Sequence, residues 1–438
     1  MNKYITTIFV LIATFATSFG QQLLTKQMAV DLALENNYGI KIAKNNVEIS
    51  KNNAEIFNSG FLPRISANAG ATYNNNNSEF TTQSNVSSEI NNAESKLYNA
   101  SISANYTLFD GFGRSYNYKK LKENYNLTEL ETKTIIENSL LQIFTVYFEV
   151  ARLTENNSNL KQSLAISKQR LERSKIAFEY GQNTKLQVLN AEVDVNNDSI
   201  RVITSERQLS NSKRDLNLFL GRNVSSPFLV ETAVDFKFLF NYTTLLKKAK
   251  IQNTNLQKAQ KNIEISAFDL KINESDLLPT LSLSSSYGIN KYDNDATFNY
   301  ANQLSKGLNA GLNLSWNIFD GGTTKTRIQN SKIILDNVEI QKEQLENELE
   351  RTLANSLELY NNALFVLKSE EKNVETNIRN FQRTEEQFKL GQITSIEFRQ
   401  AQINLLNAQS NVNEAKYDAK NAELKLLQLT GDLLTIEF

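Results

Sequence analysis

Hydrophobic and polar residues alternate with a period of two in four stretches of this sequence. Two stretches follow Pro63 and are predicted as strands at about 64–73 and 97–109. Two more follow Pro279, at about 280–290 and 308–319. One face of each stretch is aliphatic or aromatic, and the other is mostly Asn, Ser, Thr and Gly. This pattern fits either a soluble sandwich or a transmembrane β-barrel.

Two helical segments of unusual length follow these strand pairs. Neither Pro nor Gly interrupts the chain from Arg114 to about 180 or from Thr323 to about 390. The pattern predicts long helices at about 112–180 and 323–390, and some 65 residues at 1.5 Å each span about 100 Å. Gly181 and Gly391 then break the helices, and returning helices are predicted at about 184–220 and 394–430.

The returning helices carry heptad seams, which predict packing in left-handed coiled coils. The seam of the second returning helix consists of Phe398, Ala401, Leu405, Ala408, Val412, Ala415, Ala419, Ala422, Leu426 and Leu429. The seam of the first consists of Val188, Ala191, Val195, Asp198, Val202, Ser205, Leu209, Ser212, Leu216 and Phe219. Because the first seam contains an Asp and two Ser residues, we expect it to make a wetter or looser contact than the second.

The chain is a tandem repeat. Leu108-Phe109-Asp110-Gly111 lies 210 residues before Ile318-Phe319-Asp320-Gly321, and the same offset relates Gly181-Gln182 to Gly391-Gln392. Leu62-Pro63 and Leu278-Pro279 are 216 residues apart, so one connection differs by six residues. Such a register predicts one architecture used twice. The expected organisation is a first repeat at 21–220, a linker at 221–243, a second repeat at 244–431 and a C-terminal tail at 432–438.

The N-terminus is typical of an export signal. Lys3 supplies a positive start, an apolar run extends over 4–15, and Ser18 and Gly20 are small residues ahead of a cleavage site. The sequence therefore predicts a signal peptide at 1–20. The alternative is a membrane anchor, but the run is shorter than the roughly 20 residues that a spanning helix needs. We expect the protein to leave the cytoplasm.

Composition narrows the possible chemistry. The chain has 47 basic and 48 acidic residues, a net charge of −1, which gives no electrostatic argument for nucleic acid. It contains no Cys and no His, so thiolate chemistry, disulfides and imidazole ligands are excluded. No convergent polar constellation stands out. We expect no enzyme activity, no cofactor and no metal site.

The strands favour a membrane barrel that several chains share. Their length suits a tilted crossing of a bilayer, and Tyr106 and Trp316 lie near strand ends, where aromatic girdles occur. Four strands cannot close a barrel, since single-chain barrels begin at about eight strands. Open edges in lipid cost several kcal/mol for each unpaired group. Three chains of four strands would give twelve.

The chain resembles the TolC family of outer-membrane efflux proteins. The residues that carry this resemblance are the stretches Ser315–Gly322 and Leu108–Gly111 before the long helices, and Gly181 and Gly391, each followed ten residues on by an alanine. The resemblance covers nearly the whole mature chain. It implies a mainly α protein with a β-barrel portion: four transmembrane strands per chain, a twelve-stranded barrel in a trimer, and a coiled-coil helical barrel that crosses the periplasm.

The resemblance also implies where functional residues lie. In the family, carboxylates after the second tip turn narrow the periplasmic entrance, and Glu397 fits that pattern. Three copies of Glu397 would repel, which favours bound cations or a raised pKa; the alternative is an ordinary solvated side chain. At the corresponding places stand Gln400, Gln187 and Asn190, so a second acidic ring is in doubt and the locking salt bridges of some members are not expected. The adaptor-docking tips are Gly181, Gln182, Gly391 and Gln392, and the strand-to-helix turns are Asp110, Gly111, Asp320 and Gly321.

The predicted function is a channel-tunnel in the outer membrane. It would conduct substrates passively, as part of a tripartite efflux or type I secretion system. Its expected partners are two further copies of itself, a periplasmic adaptor (membrane fusion) protein, an inner-membrane transporter and outer-membrane lipid, with no nucleic acid. The alternative is an exported coiled-coil surface protein, such as a stalk or adhesin. The sequence does not identify the cargo.

Overall fold

The computed structural model describes residues 22–236, 240–294 and 301–435. The predicted signal peptide and the last three residues of the predicted tail lie outside these ranges. In chain order the elements are β1 (Gln22–Leu24), α1 (Lys26–Asn36), α2 (Tyr38–Asn53), β2 (Arg64–Thr81), β3 (Ser87–Asp110), α3 (Gly113–Glu179), α4 (Lys185–Phe219), β4 (Phe228–Val230), α5 (Tyr242–Gln252), α6 (Thr254–Ser275), β5 (Thr280–Asn294), β6 (Asn302–Ser315), α7 (Thr323–Lys389) and α8 (Ser395–Leu429).

The fold is mainly helical and repeats its element lengths. The long helices α3 and α7 have 67 residues each, and the returning helices α4 and α8 have 35 each. The pattern predicts these helices at about 112–180, 323–390, 184–220 and 394–430. Within the described ranges, no helix has both the length and the apolar character needed to cross a membrane.

The four long strands form one antiparallel sheet in the order β2-β3-β5-β6. β2 was expected at about 64–73 and β3 at about 97–109, yet their ladder continues to the pair Thr81–Ser87. The Asn-rich stretch 74–77, which lies beyond the predicted end of β2, is therefore strand. Hydrogen bonding to β3 overrides the turn preference of Asn, and a register shift between Asn76 and Ser78 accommodates the stretch.

The fourth strand begins and ends earlier than its sequence pattern. The alternation predicts a strand at about 308–319, whereas β6 is Asn302–Ser315. The physical reason is that Ser315 already pairs with Thr280, the first residue of β5. Among the described residues, 316–319 have no neighbouring strand to extend the ladder. β5 is also longer than the predicted 280–290, since it ends at Asn294.

The described residues divide into two compact units, and each contains parts of both repeats. The sheet unit comprises 47–129, 258–294 and 301–342, and it includes all four long strands. The tip unit comprises 22–46, 130–236, 240–257 and 343–435, and it includes the turns at Gly181 and Gly391. Its main core is built on aromatic residues of α3 packed with α4 and α8: Phe144, Tyr147, Phe148, Leu216, Tyr417 and Leu424.

The predicted linker, 221–243, contains ordered structure and packs on the tip unit. β4 pairs in parallel with β1, and α5 begins at Tyr242. The backbone oxygen of Thr232 accepts a hydrogen bond from Tyr417 Oη at 3.1 Å, and that of Asp235 accepts one from Lys420 Nζ at 2.8 Å. Side chains of α8 therefore hold the segment between the repeats in place.

Candidate functional site

The two tip turns in the tip unit have the same geometry. α3 and α7 end in glycines with left-handed backbone, Gly181 at φ +71° and Gly391 at φ +72°. Gly181 N–H donates to the oxygen of Phe178 and Gln182 N–H to that of Ala177, and the second turn repeats both bonds. This is the Schellman arrangement, which needs a residue that tolerates positive φ. At each glycine nothing described lies within 4 Å of the position of a Cβ atom, so both tips are open.

Each returning helix begins with a capping box, and two of the predicted entrance residues belong to these boxes. Gln187 Oε1 accepts a hydrogen bond from the backbone N–H of Thr184 at 2.8 Å. Glu397 Oε2 accepts hydrogen bonds from the N–H and hydroxyl of Thr394, both at 2.8 Å. The backbone bond from Thr394 lowers the pKa of Glu397 in the single chain. If several copies of Glu397 lay close together, repulsion among their carboxylates would raise this pKa and so oppose the effect of these hydrogen bonds.

Three of the four predicted entrance residues lie together at one cleft of about 390 Å³. Gln187 and Asn190 of α4 line it with Gln400 of α8, together with the apolar side chains of Val193 and Ile396. Gln400 Nε2 also donates to Asn404 Oδ1 at 2.8 Å on its own helix. The structure thus places residues of both tip hairpins beside one opening.

One of the residues that line this cleft, Arg399, takes part in a buried ion pair between the two repeats. Arg399 of α8 forms a bidentate pair with Asp198 of α4, with both N–O distances at 2.7 Å. Ser167 Oγ of α3 donates to the same carboxylate at 2.6 Å. Asp198 is only 2% exposed. A planar guanidinium matched to both carboxylate oxygens is the strongest form of such a contact.

Two further charges extend this pair toward the tip. Arg170 of α3, which is buried, pairs with Asp194 and also donates to the backbone oxygen of Ser395 at 3.3 Å. Arg399 Nε lies 3.5 Å from Asp194 Oδ1. Arg170, Asp194, Asp198 and Arg399 form what we call the tip charge cluster, with two positive and two negative groups. It connects the first hairpin to the start of α8.

The protonation of the cluster follows from its contacts. Burial acts to raise the pKa of Asp198, but hydrogen bonds from Arg399 and Ser167 outweigh burial and hold the pKa below its ordinary value. Burial acts to lower the pKa of Arg399, while its bonds to Asp198 raise it. Asp198 and Arg399 are therefore both charged at neutral pH.

Sequence reasoning missed this cluster and misread its central residue. Asp198 on the first seam was expected to indicate a wetter or looser contact; the structure shows that this expectation was wrong, because the side chain is buried and paired. Ser205 is also buried, and its Oγ accepts a hydrogen bond from Asn157 Nδ2 at 3.3 Å. The absence of locking salt bridges was expected from Gln187 and Asn190. The ion pairs of the tip charge cluster lie farther along α4. The acidic residue at a heptad position, Asp198, was the feature of the sequence that could have predicted them.

The predicted strand-to-helix turns lie in the sheet unit and act as helix caps. Asp110 Oδ2 accepts a hydrogen bond from the backbone N–H of Arg114 at 3.0 Å. Asp320 Oδ2 accepts one from the N–H of Thr324 at 2.8 Å, and its Oδ1 accepts one from Gly322. Gly111 and Gly321 have positive φ at +64° and +71°. The part of the chain that the structure describes contains no group of three or more acidic side chains arranged for a metal.

Comparison with known proteins shows which family this chain is similar to. The sequence model of the family described as outer membrane efflux protein matches residues 29–222 and 245–432. The outer membrane protein TolC of Vibrio cholerae is 24% identical over 303 residues, 67% of this chain and 68% of that protein. The alkaline protease secretion protein AprF of Pseudomonas aeruginosa is 22% identical over 415 residues, 92% of this chain and 83% of that protein.

Solved structures agree with the fold. The Campylobacter jejuni CmeC outer membrane channel superposes with a TM-score of 0.77 at 16% identity, covering 93% of this chain and 86% of that one. The Neisseria gonorrhoeae MtrE outer membrane channel, described in its open state, superposes with a TM-score of 0.71 at 16% identity, covering 93% and 89%. At these identities the likeness establishes the fold alone.

Proposed function

This chain belongs to the outer membrane efflux protein family, and from that premise we propose that it is the exit duct of a tripartite efflux or type I secretion system. It is an outer-membrane efflux channel protein with the TolC-like fold, and its family is not one of enzymes. The observation that carries the proposal is the family match, which covers both repeats. An exported stalk or adhesin with a soluble cap has no comparable support.

The proposed duct is a homotrimer. One chain contributes a four-stranded sheet whose outer strands, β2 and β6, each have one edge unpaired within the described residues. In lipid these edges would leave backbone groups without partners at several kcal/mol each. Three chains side by side would pair all edges and give a twelve-stranded barrel in the outer membrane. The long helices would then form the periplasmic tunnel.

The tip hairpins are the proposed docking point of a periplasmic adaptor. Gly181 and Gly391 end the long helices, and both turns are open to solvent. The chain itself has no phosphate-binding loop and no described metal cluster, so energy and cargo selection would come from an inner-membrane transporter. Gln182 and Gln392 follow the two glycines and would present amide groups to the adaptor.

The first experiment is the mass of the detergent-extracted particle, corrected for bound detergent. Three chains per particle are expected, because only a shared barrel satisfies all strand edges. A stable monomer in a mild detergent would contradict the duct. A matched planar-bilayer recording on the same sample should show conductance in the trimer fraction alone.

Glu397→Gln tests whether the entrance carries the charge that the family resemblance implies. We expect weaker block of conductance by multivalent cations added on the periplasmic side, since three carboxylates would be lost from one ring. The substitution keeps the capping box, because Gln187 fills the same role in the first repeat. Stability should therefore change little.

The control is Glu386→Gln, which removes one carboxylate from the end of α7 in the same protein. Multivalent cations should block the conductance of this variant as strongly as they block that of the unmodified channel. Equal block in Glu397→Gln and the unmodified channel would show that Glu397 is an ordinary solvated side chain.

A further inference from the structure

An exposed group of lysine and tyrosine side chains lies in the sheet unit, close to the point where β3 passes into α3. Lys122 Nζ lies 4.4 Å from the ring centroid of Tyr118, one turn earlier in α3. Lys119 Nζ lies 5.7 Å from the ring centroid of Tyr116, and Lys271 Nζ of α6 lies 5.8 Å from the same ring. All three lysines are exposed. We call these five residues the lysine–tyrosine band.

The three ammonium groups of the band have no counterion in the part of the chain that the structure describes. No described carboxylate lies within 4 Å of them, and neither tyrosine hydroxyl has a described hydrogen-bond partner. Other charges of the same helix are paired. Lys120 bonds to Asp269 at 2.6 Å, and the Glu123 carboxylate accepts a hydrogen bond from Lys261 at 2.8 Å. The band therefore presents three positive charges and two hydroxyl groups for binding.

The band continues the apolar face of the sheet. Tyr106 lies on the same face of β3 as Ile102, which is exposed. Arg114 Cζ lies 5.8 Å from the ring centroid of Tyr106 and 5.4 Å from that of Phe61. The Phe61 ring meets the Tyr118 ring edge to face, with the centroids 6.1 Å apart. A continuous row of side chains thus leads from the apolar face, which would contact lipid in the proposed barrel, to the band.

The position of the band along α3 matches the headgroup region of a bilayer. Tyr116 and Tyr118 lie about 5 and 8 Å along the axis from the first residue of α3. The ammonium groups of Lys119 and Lys122 lie at the same level, because helical side chains lean toward the N-terminus and these two contact rings one turn earlier. The headgroup layer on each side of the hydrocarbon core is about 5–8 Å thick. In the proposed barrel the band would therefore lie among headgroups.

The second repeat has no such band. At the offset of 210 residues, the positions of α7 that correspond to the two tyrosines and the first lysine of α3 hold Thr326, Ile328 and Gln329. Lys332 corresponds to Lys122 and is exposed, but no aromatic residue stands one turn before it. The band is a feature of one repeat, and α7 offers lysines without rings for comparison.

We propose that the lysine–tyrosine band binds the phosphate groups of anionic phospholipids in the periplasmic leaflet of the outer membrane. Phosphate oxygens accept hydrogen bonds from ammonium and phenol groups alike. A zwitterionic headgroup carries its own cation, which three lysines would repel, so a headgroup with net negative charge fits better. The inference rests on the proposed barrel, because the barrel puts β3 in the membrane. It adds a lipid class and a leaflet to the proposed function.

Native mass spectrometry of the detergent-extracted full-length protein tests this proposal. The particle is incubated with equal amounts of phosphatidylglycerol and phosphatidylcholine of the same chain length, whose adducts differ in mass. The unmodified protein should prefer phosphatidylglycerol, by about fivefold for each lysine that contacts a phosphate. In the double variant Lys119→Gln with Lys122→Gln the preference should fall by about tenfold or more. Both lysines are exposed and Gln has nearly the helix propensity of Lys, so the fold should be retained.

Lys325→Gln with Lys332→Gln is the matched control. It removes the same two charges from exposed positions near the start of α7, where no tyrosine is adjacent. Its preference for phosphatidylglycerol should equal that of the unmodified protein. Inorganic phosphate, compared with chloride at the same ionic strength, distinguishes a lipid site from a site for free phosphate. It should displace no more phosphatidylglycerol than chloride does.

The same spectra give the number of chains in the particle, which separates this inference from the proposed function. A three-chain particle without the preference, or with an equal loss in both double variants, would overturn the lipid site and leave the duct intact. So would displacement by inorganic phosphate well beyond that by chloride. A monomer that prefers phosphatidylglycerol through Lys119 and Lys122 would contradict the duct and leave the affinity of the band for this headgroup in place.

Discussion

The two tip hairpins have the same lengths, turns and caps, but different chemistry holds them together. The seam of the first hairpin, α3 with α4, contains buried polar side chains, among them Ser163, Ser167, Asp198 and Ser205. In the second hairpin, α7 with α8, Phe398 stacks on Phe388 at a centroid distance of 4.6 Å and packs against Phe381 and Ala401. The two repeats therefore share their backbone structure but differ in the side chains that pack between the helices.

The difference shows which hairpin depends on the other. Aromatic packing satisfies the second hairpin largely by itself, since apolar contact has no directional requirement. The first hairpin buries a carboxylate, and a buried charge needs a partner. That partner, Arg399, belongs to α8. Gln402 of the same helix donates to the backbone oxygen of Ser163 at 2.8 Å. The first hairpin is therefore completed only by the second repeat.

The largest effect should come from Asp198→Ala, which gives the first seam the residue that the second has at Ala408. The substitution leaves Arg399 buried without its bidentate partner, and breaking a buried pair in this way costs about 3 kcal/mol. Thermal unfolding of the detergent-extracted protein, followed by circular dichroism, should show a clearly lower midpoint. Protease sites around Gly181 should become accessible at lower temperature.

The double variant Asp198→Ala with Arg399→Met is the matched control. Removing both charges eliminates the uncompensated one, so most of the lost stability should return. If the single and double variants unfolded alike, the ion pair would not be what joins the hairpins.

A smaller effect is expected on acidification. The folded pKa of Asp198 lies below its unfolded value of about 3.9. The native state therefore binds this proton less readily, and the pair contributes stability above the unfolded pKa that is lost as pH falls through the folded value. Between pH 7 and pH 3 the unfolding midpoint should fall more in the native protein than in the double variant. Equal falls would exclude Asp198 as the titrating group.

The smallest expected effect on stability concerns the N-terminal caps of α4 and α8. Thr394→Ala and Thr184→Ala each remove one side-chain cap, at about 1 kcal/mol. Thr394→Ala should cost more, because the Thr394 hydroxyl donates to the Glu397 carboxylate at 2.8 Å, whereas the Thr184 hydroxyl is 3.4 Å from the neutral amide oxygen of Gln187. Unfolding midpoints of the two variants, measured side by side, check the order.

Much of the fold could be predicted because its signals are local. The absence of Pro and Gly between Gly322 and Gly391 predicts where a long helix begins and ends, and α7 extends from Thr323 to Lys389. Strand ends were harder to predict. Asn74–Asn77 have turn preferences, but their pairing with β3 decides their conformation. The tip charge cluster could not be predicted by pattern, since Asp198 and Arg399 are 201 residues apart and only the folded chain brings them together.

The residues just after β6 also give the protein an intrinsic fluorescence signal. Trp316 is the only tryptophan in the chain, and in the single copy the residue is 58% exposed while its Nε1 donates to the backbone oxygen of Leu277 at 3.1 Å. In the proposed twelve-stranded barrel it follows β6, the outer strand whose free edge would meet the next copy. The indole emission should therefore shift to shorter wavelength as copies associate, at a rate that rises with protein concentration. Assembly of this protein can be timed by its own fluorescence, without any attached dye.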